Sequence, residues 1–372
     1  MTDAEEYPDV RAGGATLYRL YDVGYEIDLA RAAGLLAPAV AARPRPRRVE
    51  AVAIVTPRPP LTVELPAEAD DVEGVGTVTA AIFDFGVVSM RLQVAPPADA
   101  SWADFVRFAG CVHTGARLRS VLDVRLRRLL DRIQAAVIRH DIAEVTEEYV
   151  VFRAAGLCTR AGEAYDPSRL PGDALARLLL NESRPLSPSA QLDLLPHRFS
   201  YTTEDFVGLT WESALVVEPD PGDEDVEYVL EFANAQLLEL RVFDALLDAE
   251  LPRVYERVAA VRTASARLLS RRDRPLLADL QTRVADVTDI VERVENAFKV
   301  TDDVYLARVY SAALEIFRGA AWRRGIDRKL GILRDTYSML NAESQAARGE
   351  ALELAIVLLI VLELVLSLIG RR

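Results

Sequence analysis

The chain has 372 residues, which is enough for two or more domains with a substantial core. Its formal net charge of −13 argues against a nucleic-acid-binding role for the protein as a whole, because a negative field repels phosphate. The two cysteines, Cys111 and Cys158, are too few for a disulfide framework and favour a reducing compartment. The acidic start, MTDAEEYPDV, lacks the apolar segment of a secretory signal, so we expect the bulk of the chain in the cytoplasm.

After an N-terminus expected to be disordered over residues 1–14, residues 15–220 mix short strand-like runs with helices. Strands are predicted in ATLYRLYDVGYEIDL, VEAVAIV, VGTVTAAIFDFGVVSMRLQV, YVVFRA and DFVGLTWESALVVEP. Helices are predicted at 101–112, 117–139 and 171–181. Because strands and helices do not alternate regularly, this pattern predicts an α+β domain with a mixed sheet.

The tripeptide Asp84-Phe85-Gly86 interrupts the longest of these strand-like runs. It copies a protein-kinase motif, but the chain has no H-R-D triplet and no lysine before Lys299. Glycine permits the tight turn or bulge that would join two strands at this point. We therefore interpret the tripeptide as a turn and assign it no catalytic role.

Residues 221–349 change character and become helical. Apolar residues recur there at steps of three and four, with an interruption around Asp244. Pro252 is expected to kink the first helix or to divide it in two. The apolar pattern resumes at 280–298 and again in a third helix, which predicts a long antiparallel helical bundle.

The last predicted helix, 351–369, is almost wholly Leu, Ile, Val and Ala, and its polar positions are Glu353, Glu363 and Ser367. Its apolar side chains would contribute about −4 to −8 kcal/mol to membrane insertion, against roughly +3 kcal/mol for Glu363. We therefore predict a single-pass C-terminal transmembrane helix, holding the protein to a bacterial inner membrane. The competing interpretation is a buried core helix that completes the bundle of a soluble protein.

Glu363 is the most testable residue of this helix. An acid at mid-depth in a bilayer is expected to be protonated or hydrogen-bonded to a partner helix. We hypothesise that Glu363 faces a neighbouring copy, so that the bundle and the membrane helix together form a homo-oligomer. The alternative is an acid that the bilayer tolerates by local thinning or water entry.

The predicted helix at 117–139 is locally basic. Its arginines include Arg125, Arg128 and Arg132, which could present a basic face to the phosphate of anionic lipid or RNA. The alternative is that these arginines pair with the many carboxylates of the same protein.

The segments TDDVYLARVYSAALEIF, IDRKLGILRDTYSML and LELAIVLLIVLELVLSLI follow one another from residue 301 to the end. Together with YDVGYEIDLARAAGLL and AAIFDFGVVSM upstream, they resemble the family named for the yeast "required for meiotic nuclear division" proteins, which includes bacterial YagE-like members. The resemblance implies a membrane-anchored domain of unknown function without established enzymatic chemistry. Eukaryotic members support mitochondrial translation, as a scaffold or ribosome anchor.

The sequence contains no P-loop, no G-x-G-x-x-G, no H-E-x-x-H and no G-x-S-x-G motif, and we assign no catalytic, cofactor-binding or metal-binding residue. We expect a tail-anchored membrane scaffold that positions an unidentified cytoplasmic protein, with RNA or a ribosome as a weaker candidate partner. The alternative is an enzyme or nucleotide-binding module whose site combines residues distant in sequence.

Overall fold

The computed structural model describes residues 7–37, 39, 58–66, 75–97, 100–140, 142–195, 197–263 and 303–369. The chain divides into two compact units, the first drawn from residues 1–242 and 296–320 and the second from 243–295 and 321–372. The strand predicted at 49–55 and the apolar pattern at 280–298 lie outside the described residues.

The first unit contains the strands, and two of the helices pass from one unit into the other. The strands are β1 (Asp9–Arg11), β2 (Gly14–Asp22), β3 (Gly24–Ile27), β4 (Leu61–Leu65), β5 (Val75–Ile82), β6 (Val87–Val94), β7 (Val137–His140), β8 (Thr146–Ala154), β9 (Gly156–Cys158), β10 (Ala164–Tyr165), β11 (His197–Phe199), β12 (Phe206–Leu209) and β13 (Ser213–Val217). The helices are α1 (Leu29–Leu36), α2 (Trp102–Thr114), α3 (Ala116–Ile133), α4 (Gly172–Leu179), α5 (Pro188–Leu194), α6 (Asp225–Thr263), α7 (Val304–Ile316) and α8 (Gly319–Ile369).

An eight-stranded sheet forms the centre of the first unit, in the order β11-β12-β13-β8-β2-β6-β5-β4. Neighbouring strands are antiparallel except for β13 and β8, which are parallel. In two smaller sheets, β9 lies between β1 and β10, and β3 pairs with β7. The α+β prediction is therefore confirmed.

Strand β8 shows why both faces of the sheet are buried. Alternate side chains of a strand point to opposite faces, so Val150 and Phe152 share one face and Glu147, Tyr149 and Arg153 share the other. The first face belongs to the main apolar core, which α1 to α4 complete. The second face carries ionic contacts to the first half of α6. Helices thus cover both faces of the sheet.

Helix α6 begins close to the boundary expected from the sequence, but its first half belongs to the α+β unit rather than to a separate bundle. Residues 231–240 are buried without interruption. A helix buried on all sides must be surrounded by other elements. The helix also continues through Pro252 to Thr263 and is not divided there.

In the second unit, Asp244 explains the interruption of the apolar pattern in α6. Its carboxylate lies 2.6 Å from the ammonium of Lys329 in α8, and Asp248 lies at the same distance from that ammonium. Burial alone would lower the pKa of Lys329, but hydrogen bonds to the two carboxylates and their electrostatic attraction raise it. The interruption is therefore an ionic contact between α6 and α8.

The predicted transmembrane helix at 351–369 is wrong, and the single-pass membrane localisation is wrong with it. Among the described residues, no helical stretch combines the length and the apolar character needed to cross a bilayer. Glu353 and Glu363 limit the uninterrupted apolar run to residues 354–362, which span about 14 Å against a hydrocarbon core of about 30 Å. The segment is instead the end of the long helix α8.

The turn between β5 and β6 is held by backbone contacts to β3 and its surroundings. Val23 donates to the Gly86 carbonyl over 3.0 Å, and Ile27 donates to the Asp84 carbonyl over 2.8 Å. Gly86 has a φ of +96°, and a Cβ atom there would lie 1.8 Å from the Gly24 carbonyl oxygen. The motif is therefore a structural turn. It requires glycine at position 86 both for the positive φ and for the close contact with the Gly24 carbonyl oxygen.

Replacing Gly86 with alanine should lower the free energy of unfolding by about 3 kcal/mol or more, because strain and a backbone clash add. Gly162 is a matched control, since its φ is +84° but nothing lies within 4 Å of its added Cβ. Alanine at Gly162 should cost about 1 kcal/mol. Chemical denaturation measures both values, and equal losses at the two positions would contradict the clash.

Candidate functional site

A set of buried ionisable side chains lies between α6 and the sheet. We call it the charge layer and define it as Tyr18, Arg91 and Arg153 of the sheet with Glu227 and Glu231 of α6. Tyr18, Arg91 and Arg153 come from strands. Alternate side chains of a strand point to the same face, and these three point to the face that α6 covers. The two glutamates are four residues apart and so share one side of the helix. Every residue of the layer except the two arginines is fully or almost fully buried.

Arg91 and Glu231 form the central pair of this layer. The Nε atom of Arg91 donates to Glu231 Oε1 over 2.7 Å, and its Nη2 atom donates to Oε2. Although burial alone would lower the pKa of Arg91, the Glu231 carboxylate raises it, so the guanidinium stays charged. Burial also raises the pKa of Tyr18, which keeps its hydroxyl neutral beside the pair. The contact is bidentate, and Glu231 is almost fully buried within it.

Arg153 links Glu227 to the segment that precedes α6. Its Nη1 atom donates to Glu227 Oε1 over 2.7 Å, and its Nη2 atom donates to the carbonyls of Asp220 and Asp223. Glu227 Oε2 has no hydrogen-bond partner among the described residues. Burial outweighs the attraction to Arg153, and Glu224 and Asp223 add repulsion, so that the pKa of Glu227 rises to about 7.

Further polar contacts extend the charge layer along α6. Tyr310 of α7 donates its hydroxyl to Gln236 Oε1, and Arg241 pairs with Glu147 of β8. Ring contacts of Phe232 with Tyr310 and with Phe83 flank them. These side chains are packed against one another, so their arrangement fastens α6 between the sheet and α7.

An open groove lies beside β11, on the surface of the same unit. Its volume is about 630 Å³. It is lined by His197, Phe199, Val304, Ala307, Arg308, Ser311, Ala312 and Glu315. The residues from 304 to 315 follow steps of three and four, which places them on one side of α7. The lining of the groove combines apolar side chains with the ionisable groups of His197, Arg308 and Glu315.

The structure separates the site residues predicted from the sequence. Arg125 is buried and donates to the Pro66 carbonyl over 2.7 Å, whereas Arg128 and Arg132 are exposed on α3. The three arginines share one side of α3, but Arg125 does not contribute its charge to the exposed surface. Glu363 is exposed near the end of α8, in the second unit.

Reasoning from the sequence missed the charge layer, although two signals for it were present. Glu227 and Glu231 stand at a four-residue step in an otherwise apolar helical segment, and Arg91 and Arg153 each stand in an apolar strand. Charges at core-facing positions are almost never buried unless they are paired. The described residues contain no group of three or more His, Cys, Asp or Glu that could hold a metal ion.

A family model described as "Uncharacterized protein MJ0711, N-terminal domain" matches residues 12–224, more than half of the chain. The uncharacterized protein MJ0711 of Methanocaldococcus jannaschii is 26% identical to the chain over 194 residues. That alignment covers 52% of this chain and 58% of the relative, so the chain spans less than two thirds of the relative's length. No solved structure matches the chain. These comparisons support a domain of unknown function.

Replacing Arg91 with methionine should lower the free energy of unfolding by about 3–5 kcal/mol, because Glu231 would remain as a buried, unpaired charge. Combining Arg91→Met with Glu231→Leu should recover most of this loss, since both charges are then removed. Arg107, whose pair with Asp104 is exposed, is the control, and Arg107→Met should change stability by less than about 0.5 kcal/mol. Urea denaturation of the four proteins measures these values; a double variant no more stable than Arg91→Met would contradict the pairing.

Glu227 should make the stability of the first unit depend on pH. A carboxyl with an ordinary pKa of 4.5 that rises to about 7 on folding binds more protons in the folded state between these values. Its stabilising contribution is complete below pH 4.5 and falls by about 3 kcal/mol as the pH rises to 7. In Glu227→Gln this loss should disappear, with the Arg153 contacts to the backbone carbonyls retained.

The measurement is the free energy of unfolding of both proteins at a series of pH values from 4 to about 8. The difference between the wild type and Glu227→Gln isolates this carboxyl from the other titrating groups. A difference that does not vary with pH would contradict the raised pKa.

Proposed function

The chain belongs to the family of the uncharacterized protein MJ0711 N-terminal domain, and from this premise we propose that it is a non-enzymatic scaffold that binds and positions a protein partner. The first unit serves as a rigid platform, because the charge layer fastens α6 to its sheet. The end of α8 brings copies of the chain together. Self-association and partner binding thus use different parts of the molecule.

The observation that carries this proposal is an exposed apolar run in α8. Residues 356–362 are all Ile, Val or Leu, and each is 50–64% exposed. Seven consecutive helical residues make nearly two turns, so the run is apolar on every side. Contiguous exposed apolar surface of this kind marks an interaction site.

A second copy of the chain is the occupant that fits this run best. A helix that is apolar on every side can pack against several neighbours at once, and identical helices offer identical surfaces. Glu353 and Glu363 border the run and limit the contact to the apolar residues between them. We assign Glu363 a position next to the neighbouring helix, where it influences how many copies assemble.

We also propose that the chain is related to the "required for meiotic nuclear division" family. The segments that carry this resemblance run from residue 301 into α8, and they include Lys329 and the apolar run. Members of that family have no established enzymatic chemistry. This supports a scaffold over an enzyme or nucleotide-binding module.

Replacing Leu358, Leu359 and Leu362 with glutamine should convert an oligomer into single chains, because the exposed run loses its apolar surface. These side chains are exposed, so the fold of each copy should be unaffected. Leu192→Gln is the control, since Leu192 is exposed alone on α5 in the other unit. Sedimentation of the full chain measures the assembled mass.

Two outcomes would contradict the proposal: a wild-type chain that sediments singly, or a triple variant that keeps the wild-type mass. Glu363→Leu tests the position of the acid separately. A change in the number of copies supports its place beside the neighbouring helix, and an unchanged number removes that assignment while leaving the apolar contact intact.

A further inference from the structure

Within the described part of the chain, β12 is the one strand neighbour of β11, so β11 forms an edge of the eight-stranded sheet. It is three residues long and antiparallel to β12. An edge strand presents unpaired backbone groups, and an extended segment of another chain can pair with them. The free edge of β11 therefore offers backbone hydrogen bonds to an additional strand.

The register of the sheet identifies the residue of β11 whose backbone groups point to the free edge. Thr210 donates to the Ser213 carbonyl over 2.9 Å and closes the hairpin of β12 and β13, so these two residues form a hydrogen-bonded pair. Such pairs alternate along an antiparallel ladder, which makes Gly208 the next residue of β12 to bond to β13. Arg198 lies opposite Gly208 across β11 and β12. The backbone N–H and C=O of Arg198 must then point to the free side.

The groove described above runs beside this edge. From Val304 to Glu315 it follows α7 for about 17 Å, which matches about five residues of extended chain. Exposed aromatic side chains stand near both ends of α7. Tyr201 lies 5.7 Å from the ring of Tyr305, and Trp211 lies 5.9 Å from the ring of Phe317 at the other end.

Arg308 places a positive charge near the middle of the groove, whereas Glu315 places a negative charge at its end, about 10 Å further along α7. Arg308 is exposed, and its guanidinium lies 5.6 Å from the ring centre of Phe199. It forms no salt bridge with a carboxylate of the described residues, unlike the arginines of the charge layer. The charge of Arg308 is opposite to the net charge of −13 and complements an acidic side chain.

We propose that the groove between β11 and α7 binds an extended segment of a partner protein, which adds as a strand to the edge at Arg198 and places a carboxylate against Arg308. Apolar side chains on the same face of the segment pack on Phe199, Val304 and Ala307. This inference deepens the proposed scaffold function, because it names the surface and the chemistry of the partner. It uses the first unit alone and is independent of the apolar run in α8.

The test uses two fluorescein-labelled pentapeptides, Val-Thr-Glu-Thr-Val and Val-Thr-Lys-Thr-Val, whose valines share a face with the central charged residue, and measures their binding to the full chain by fluorescence anisotropy. The wild type should bind the glutamate peptide at least about tenfold more tightly than the lysine peptide. Arg308→Glu should reverse this preference. Arg31→Glu, an exposed arginine on α1, should leave the preference unchanged.

Arg198→Pro tests the strand pairing, because proline removes the outward N–H without removing a bond to β12. Both peptides should bind at least about tenfold more weakly to this variant. If Arg198→Pro does not fold, as judged by circular dichroism, the test uses the wild-type protein and a glutamate peptide that is N-methylated at the backbone nitrogen of its central residue. This methylation should weaken binding equally. Unchanged binding in this test overturns the strand pairing.

Equal affinities of the wild type for the two peptides, or an Arg308→Glu variant that keeps the wild-type preference, overturn the assignment of an acidic segment. Binding of labelled hexauridylate that Arg308→Glu abolishes, with neither peptide bound, overturns it in favour of a nucleic acid. Sedimentation of Arg308→Glu should show the wild-type mass. A failure of peptide binding is therefore distinguishable from a failure of self-association.

Discussion

Two buried carboxylates on α6 constrain the rest of the first unit. Removing Glu227 and Glu231 from water costs several kcal/mol for each charge unless a counter-charge and hydrogen bonds replace the lost hydration. Arg91 provides both for Glu231, whereas Arg153 bonds only one oxygen of Glu227, over 2.7 Å, and burial raises the pKa of that carboxyl to about 7. A shift of α6 by one turn would bring one glutamate to the position of the other and leave the second glutamate and one arginine unpaired. The helix therefore docks in one position, and the sheet beneath it must present both arginines at the correct register.

This constraint separates the parts of the first unit that carry stability from those that remain open for binding. The central strands β8, β2 and β6 supply the charge layer and are covered on both faces. Strand β11 lies at the far edge of the sheet, three strands away from β8. None of the residues that line the groove belongs to the charge layer, although α7, which forms one side of the groove, also contacts α6 through Tyr310.

Local patterns in the sequence were sufficient for the α+β character of the first unit and for the turn at Gly86, because both depend on neighbouring residues. They were insufficient for α6, since the partners of its glutamates lie 74 and 140 residues away in the chain. The apolar run near Glu363 was misinterpreted because the total of apolar residues was given more weight than their uninterrupted length. Arg125 was placed on an exposed face although its spacing from the apolar stripe also fits a buried position.

The central claim is that the first half of α6 is fastened inside the α+β unit by its buried charges. Hydrogen–deuterium exchange of the intact chain, followed by mass spectrometry of its peptides, tests this claim most directly. The account predicts that amides of residues 231–240 exchange as slowly as those of β2, and that Arg91→Met accelerates both together. Residues 231–240 exchanging as fast as the exposed turns of α6 around Leu246 would contradict it.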